Sequence, residues 1–142
     1  MIVVLWIYPR GKAVTDEKDP DLIAGAAGVA LCLGADFVKV NPPHDVEGQT
    51  SAESLKIASM AAGRTGLVCA GGSKADANVF LTQLHDQIHI GGACGNATGR
   101  NIHMRSDDEA IRLCNAISAI TLGDWSVEDA EAVFRGEKEF SL

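Results

Sequence analysis

Basic residues are in short supply. Twelve lysines and arginines stand against nineteen aspartates and glutamates, a formal net charge of −7 at pH 7. That shortage excludes the broad basic face a nucleic acid or an anionic membrane surface requires, so neither is an expected partner. An anionic substrate must then rely on local positive charge. Aromatics are also few, with one tyrosine and two tryptophans against fifteen glycines, which predicts many tight turns and few large aromatic anchors. The four cysteines, Cys32, Cys69, Cys94 and Cys114, form no CxxC pair, and reduced thiols in a cytoplasmic protein are expected. No apolar run resembles a membrane span. Met1 to Leu5 is apolar but lacks a basic flank and a cleavage site, so it reads as a strand and not as a signal peptide.

What is present is ordinary for a globular chain: 142 residues, long enough to bury a core, with no linker or low-complexity segment to divide it. One domain spanning 1–142 is expected. Four short apolar runs read as buried parallel strands: Ile2 to Tyr8, Asp36 to Asn41, Gly66 to Ala70 and Gln87 to Gly91. Helical signals lie between them. Asp19-Pro20 gives an N-cap and a proline at N1 for a helix ending at Gly34, and Thr50 to Glu53 is a capping-box pattern for one stopping near Gly63. Ser73 to Leu84 is a third helical stretch, Ser106 to Glu109 opens a fourth reaching about Ile120, and a last helix runs from Ser126 to before Gly136. Repeated βα units imply parallel strands joined by right-handed crossovers. Four units make either a small flavodoxin-like open sheet or half of an eight-stranded (β/α)₈ TIM barrel. The start inside a strand, without a cap or turn before it, favours the half-barrel.

In such folds the working residues gather at the C-terminal strand ends. The first run ends in Trp6-Ile-Tyr8-Pro-Arg10-Gly, where Trp6 and Tyr8 share one side of a strand and Arg10 sits at its rim. This is either a proton-transferring tyrosine with a phosphate anchor, or an aromatic strand end with a solvated arginine. The second run places Lys39 in an apolar stretch between Val38 and Val40. Its side chain points to a barrel lumen or to solvent. In the lumen, desolvation would favour the neutral amine that attacks carbonyls. The third run ends in Ala70-Gly71-Gly72-Ser73-Lys74, and the fourth leads through Gly91 to Gly95 into Gly99-Arg100-Asn101 before a short helix. Two glycine-rich loops in adjacent units, each expected to run into a helix N-terminus, point to phosphate binding. His44, His85, His89 and His103 lack a metal-ligand arrangement and are expected to be structural or superficial, so no catalytic metal is expected.

Together, Trp6-x-Tyr8-Pro-Arg10-Gly, Gly34-Ala-Asp36-x-x-Lys39, Ala70-Gly-Gly72-Ser73 and Gly99-Arg100-Asn101-Ile resemble the archaeal-type class I fructose-bisphosphate aldolases of the wider DeoC/FbaB aldolase family. The resemblance spans the chain and corresponds to the family's C-terminal half, about four βα units of the barrel. It implies a lyase that cleaves fructose 1,6-bisphosphate to dihydroxyacetone phosphate and glyceraldehyde 3-phosphate, in glycolysis and gluconeogenesis, without a cofactor. Lys39 is implied as the Schiff-base residue and Tyr8 as the proton carrier. Trp6 and Arg10 are implied to position substrate, and Gly71, Gly72, Ser73, Gly99 and Arg100 to form the phosphate cradle. Related lysine-dependent enzymes, such as deoxyheptulosonate-type synthases acting by transaldol transfer, are the alternative, with a non-catalytic sugar-phosphate-binding fragment beyond them. A half-barrel exposes its lumen face, which implies a homo-oligomer or association with the missing half. Asp45 and Glu47 in the loop after Lys39 have no role in this resemblance.

Overall fold

The structure is a computed structural model and describes residues 1–141. In chain order the elements are β1 (Val4–Trp6), α1 (Pro20–Cys32), β2 (Phe37–Val40), α2 (Ala52–Ala62), β3 (Gly66–Ala70), α3 (Ala77–His89), β4 (Gly95–Ala97), α4 (Arg100–His103), α5 (Asp107–Gly123) and α6 (Val127–Arg135). The strands make one parallel sheet in the order β1-β2-β3-β4. Strands that follow one another across a sheet in chain order wind as a barrel does. A doubly wound open sheet reverses direction at a switch point, and none occurs here.

Strand alternation decides which side chains work and which pack. Val38, Val40, Leu67 and Cys69 turn to one face and are buried against Ile23, Ala27, Leu55 and Ala58 of α1 and α2. Val4, Trp6, Lys39 and Ala70 fall on the opposite face, where Trp6 is 67% exposed. A second core, around Leu81, Leu84, Leu113, Ile120 and Val133, joins α3, α5 and α6. Leu55 is fully buried and its side chain also packs closely over the backbone of Gly91. Truncating it to alanine is expected to cost roughly 2–5 kcal/mol, seen as a lower urea midpoint at unchanged slope.

The caps explain most helix starts. Asp19 accepts hydrogen bonds from the amides of Asp21 and Leu22 (2.9 and 3.0 Å), with Pro20 at the first helical position. Ser106 and Glu109 form the expected capping box, and Ser126 caps α6, which ends at Gly136 in the left-handed region. At α2 the cap is Ser51, one residue later than the sequence pattern suggests.

One strand assignment is overturned. Gln87 to Gly91 is not the fourth strand, because α3 continues through His89 and β4 is Gly95–Ala97. The isoleucines at 88 and 90 look β-like alone, yet Leu81, Leu84 and Ile88 recur at helical spacing and face the second core. The true strand, Gly-Asn-Ala, carries no β-branched residue and gains its extended form from its ladder with Val68 to Ala70. The third helix accordingly begins at Ala77, not Ser73. The first run narrows to three residues, although flanking ladder bonds run from the Phe37 amide to Val3 O and from the Ile7 amide to Lys39 O.

Among the described residues, no strand pairs with the outer edge of β1 or of β4. Apolar side chains remain in solvent on two of the helices: Leu22 and Val29 on α1, Ile111 and Leu122 on α5. Thr121 of α5, packed beside Gly95 of β4, holds a buried hydroxyl without a hydrogen-bond partner. No helix among the described residues is long and apolar enough to cross a membrane.

Candidate functional site

The C-terminal ends of the four strands surround a cleft of about 380 Å³ lined by Tyr8, Arg10, Lys39, Asn41, Ala70, Gly71, Gly72, Ala97, Gly99, Arg100 and His103. Each strand contributes through its last residues or the loop that follows. β2 supplies its floor. Register brings Lys39 level with Trp6 on one side and Val68 on the other. The alternation that buries Val38 and Val40 sends Lys39 to the open face, half-buried, with its Nζ 3.9 Å from the centre of the Trp6 ring. Among the described residues no carboxylate pairs with this amine.

Of the two thiols near the sheet, Cys69 points into the helix-covered core, where burial and then the neighbouring Cys94 push its pKa up to about 12. Burial also raises the Cys94 pKa. Neither supplies a ready thiolate.

Positive charge rings the rim. The Arg10 guanidinium carbon lies 5.5 Å from the Tyr8 ring centre, and its Nε contacts Glu17 at 3.3 Å in a largely exposed pair. Such a pair is worth at most about 1 kcal/mol, so an incoming phosphate can displace it. Arg100 is exposed at the start of α4 and has no ion-pair partner among the described residues.

The two glycine loops meet here, though not as the sequence suggested. The α3 N-terminus is four residues beyond Ser73, and the Asp76 carboxylate occupies it by accepting from the Asn78 amide at 3.0 Å. It does not serve the cleft. The Gly71 amide is also spent, on Ala97 O at 3.2 Å. Among the described residues the amides of Gly72, Ser73 and Lys74 donate to no protein group, nor do those of Arg100 and Asn101 at the start of α4. Gly72 lies in the left-handed region at φ +66°, and a side chain on Gly71 would strike Thr98. Ser73 is exposed, and both Ser73 and Trp6 lie outside the cleft lining, Trp6 touching it only through its ring beneath Lys39 Nζ.

Two residues at the cleft were missed from sequence. Asn41 follows β2 directly, and His103 reaches back over Gly99, whose added Cβ would sit 3.0 Å from its Nε2. His103 is thus an exposed residue that also lines the cleft. Only the one-turn helix α4 brings it there, and no linear motif announces that geometry. The structural role expected of the histidines suits His44, whose Nε2 pairs with Asp16 while its amide bonds Lys18 O. Asp45, unplaced before, closes its own turn by accepting from the amides of Glu47 and Gln49 at 2.8 and 3.0 Å. Among the described residues no group of three or more His, Cys, Asp or Glu is placed to hold a metal.

The profile of the DeoC/LacD family aldolase matches residues 1–105. A fructose-bisphosphate aldolase/6-deoxy-5-ketofructose 1-phosphate synthase of Methanocaldococcus jannaschii is 57% identical over 139 residues, covering 98% of this chain and 44% of that protein. The structure of a fructose-bisphosphate aldolase from Slackia heliotrinireducens superposes with a TM-score of 0.95 at 74% identity, over 100% of this chain and 45% of that one. An archaeal fructose-1,6-bisphosphate aldolase, solved with its catalytic lysine covalently bound to the carbinolamine intermediate of the substrate, matches with a TM-score of 0.73 at 31% identity, over 85% of this chain and 45% of that one. The chain thus spans a little under half the length of these relatives, and its four βα units have the fold of a half TIM barrel.

Proposed function

This chain belongs to the DeoC/LacD aldolase family, and from that premise we propose that it carries the Schiff-base half of a class I fructose-1,6-bisphosphate aldolase, with Lys39 as the covalent residue. The observation that carries the reading is the placement of one unpaired amine on the floor of a cleft whose rim holds two arginines and two glycine loops.

The chemistry follows from that placement. The neutral Lys39 amine adds to the C2 carbonyl of the open-chain ketose, and loss of water leaves an iminium. A base then removes the proton of the C4 hydroxyl, and the C3–C4 bonding pair flows into the iminium as an enamine. Glyceraldehyde 3-phosphate departs as the aldehyde. Protonation of the enamine at C3 and hydrolysis release dihydroxyacetone phosphate and restore the amine. Tyr8, on the loop leaving the adjacent strand, is the proton carrier of this scheme. Gly72, Gly99 and Arg100 hold one phosphate through backbone amides and a guanidinium, and Arg10 anchors the other. Trp6 shields the amine from beneath. Gly71 shapes the loop without donating, and Ser73 offers its amide from outside the lining.

The test is reductive trapping. Incubation with dihydroxyacetone phosphate and borohydride should leave a mass adduct on the peptide containing Lys39, and an unmodified Lys39 under saturating ligand would overturn the assignment. A second substrate class has one specific support, since the Methanocaldococcus jannaschii relative is also a 6-deoxy-5-ketofructose 1-phosphate synthase. The same amine serves both reactions, and trapping with each sugar phosphate separates them.

The reading extends to partners. The unpaired edges of β1 and β4 and the exposed apolar flanks of α1 and α5 favour completion of the barrel by a second copy or by the complementary half. Sedimentation of the isolated chain should give a species larger than a monomer, and a stable monomer would overturn self-association. A cytoplasmic setting accords with four unpaired cysteines.

A further inference from the structure

Asn101 is 1% exposed, one of few polar side chains buried in this protein, and lies just behind the cleft. Its amide group is fully used. Nδ2 donates to Gly71 O at 2.7 Å and to Ser73 O at 3.0 Å, while Oδ1 accepts from the Ala75 amide at 2.8 Å. Only this orientation works, since turning the amide over would set an oxygen against two carbonyls. Three bonds from one side chain on α4 thus bind the loop after β3 along five residues. Arg105 reinforces the joint, with Nε donating to Asn101 O and NH2 to Ala75 O, both at 2.8 Å. Lys74 Nζ crosses to Met104 O at 2.7 Å.

We propose that Asn101 is a positioning residue that locks the loop after β3 to the start of α4, so that the amides of Gly72 to Lys74 and the Gly99–Arg100 segment form a single rigid anion site. The proposal rests on the phosphate-cradle reading given above. Asn101 fixes the carbonyls of the loop on its inner side. Across a trans peptide the next N–H points opposite to the carbonyl, so the unpaired amides of Gly72 and Lys74 are turned away from Asn101. A loop held in this way binds an anion without first losing its own freedom, and loop ordering is a substantial cost in weak anion sites. Backbone donors cannot be placed by their own side chains. In a segment with glycine at two successive positions, a neighbouring element has to do it.

The experiment uses the 142-residue chain, inorganic phosphate as probe, and two variants, Asn101→Ala and the milder Arg105→Lys. Phosphate affinity is measured by titration, and amide hydrogen exchange is read in parallel. In Asn101→Ala the dissociation constant should rise about tenfold or more, and exchange at Gly72, Ser73 and Lys74 should accelerate while β1 and β2 amides keep their protection. Arg105→Lys should shift both measurements in the same direction by less. A purely structural role would instead raise exchange throughout and leave the affinity of the folded fraction unchanged. Either folded variant binding phosphate like the parent, or keeping its loop amides protected, overturns the proposal. A parent chain that binds no phosphate removes the cradle reading itself, and the proposal with it.

Discussion

Replacing Lys39 with methionine is expected to abolish the borohydride-trapped adduct completely and, in the completed barrel, to lower aldol cleavage by about 10³-fold or more, because among the described residues no second amine lines the cleft to form the iminium. Methionine retains the length and apolar stem of lysine, so the Trp6 contact surface survives and folding should be close to unchanged. Phosphate affinity should persist, since Arg10, Arg100 and the free loop amides are untouched. Mass spectrometry of the reduced complex and a parallel phosphate titration separate these effects. Loss of both adduct and phosphate binding would mean that residue 39 supports the fold and does not act as the nucleophile.

The second large effect is expected at Gly71. A Cβ there would lie 2.5 Å from Thr98 Oγ1 and 2.9 Å from Thr98 Cα. The hydroxyl can rotate aside, but the backbone carbon cannot, so Gly71→Ala must push the loop after β3 away from the one after β4. The ladder bond from the Gly71 amide to Ala97 O stretches with it. Stability should fall by about 1–3 kcal/mol, and phosphate affinity by about tenfold or more as the two anion loops part. Gly72→Ala is the contrasting variant. Its Cβ meets nothing within 4 Å, but the backbone sits at φ +66°. It should cost about 1–2 kcal/mol of stability while leaving the loops joined. Urea unfolding and phosphate titration on the pair distinguish a parted cradle from a merely strained one.

Much of this arrangement was legible in the sequence because its signals are local. A lysine flanked by valines in a strand has only two faces to choose between, and the helix-covered face was already claimed by Val38 and Val40. Capping residues at Asp19, Ser106 and Ser126 marked helix starts through short-range hydrogen bonds that sequence spacing encodes directly. The reading failed where tertiary partners decide. Residues 87–91 resemble a strand until Leu81 and Leu84 are seen to continue into them at helical period, and Gly95 to Ala97 is a strand only because β3 lies beside it. His103 and Asn101 illustrate the same limit within the cleft. One reaches the site and the other braces it through a four-residue helix, and adjacency of that kind leaves no trace in spacing. The glycine loops were expected to bind an anion with help from the N-terminus of α3, and that help is not available. The Asp76 cap closes the α3 end, and the open amides are those of Gly72 to Lys74 in the loop and of Arg100 and Asn101 at the start of α4.

The two bare edges of the sheet are unlike each other. One is the flank of β1 and the other the flank of β4, and a joint between copies that kept the sheet parallel would match the first kind to the second. Such a head-to-tail joint has only two outcomes: a ring that shuts on itself, or a chain that keeps growing. Were two copies to meet so, four strands each with the curvature of a (β/α)₈ wall would shut after two units and leave no template for further addition. In a flat sheet the same pairing would continue as a fibre, so under the proposed self-association the bend of the wall would decide between closure and polymerisation.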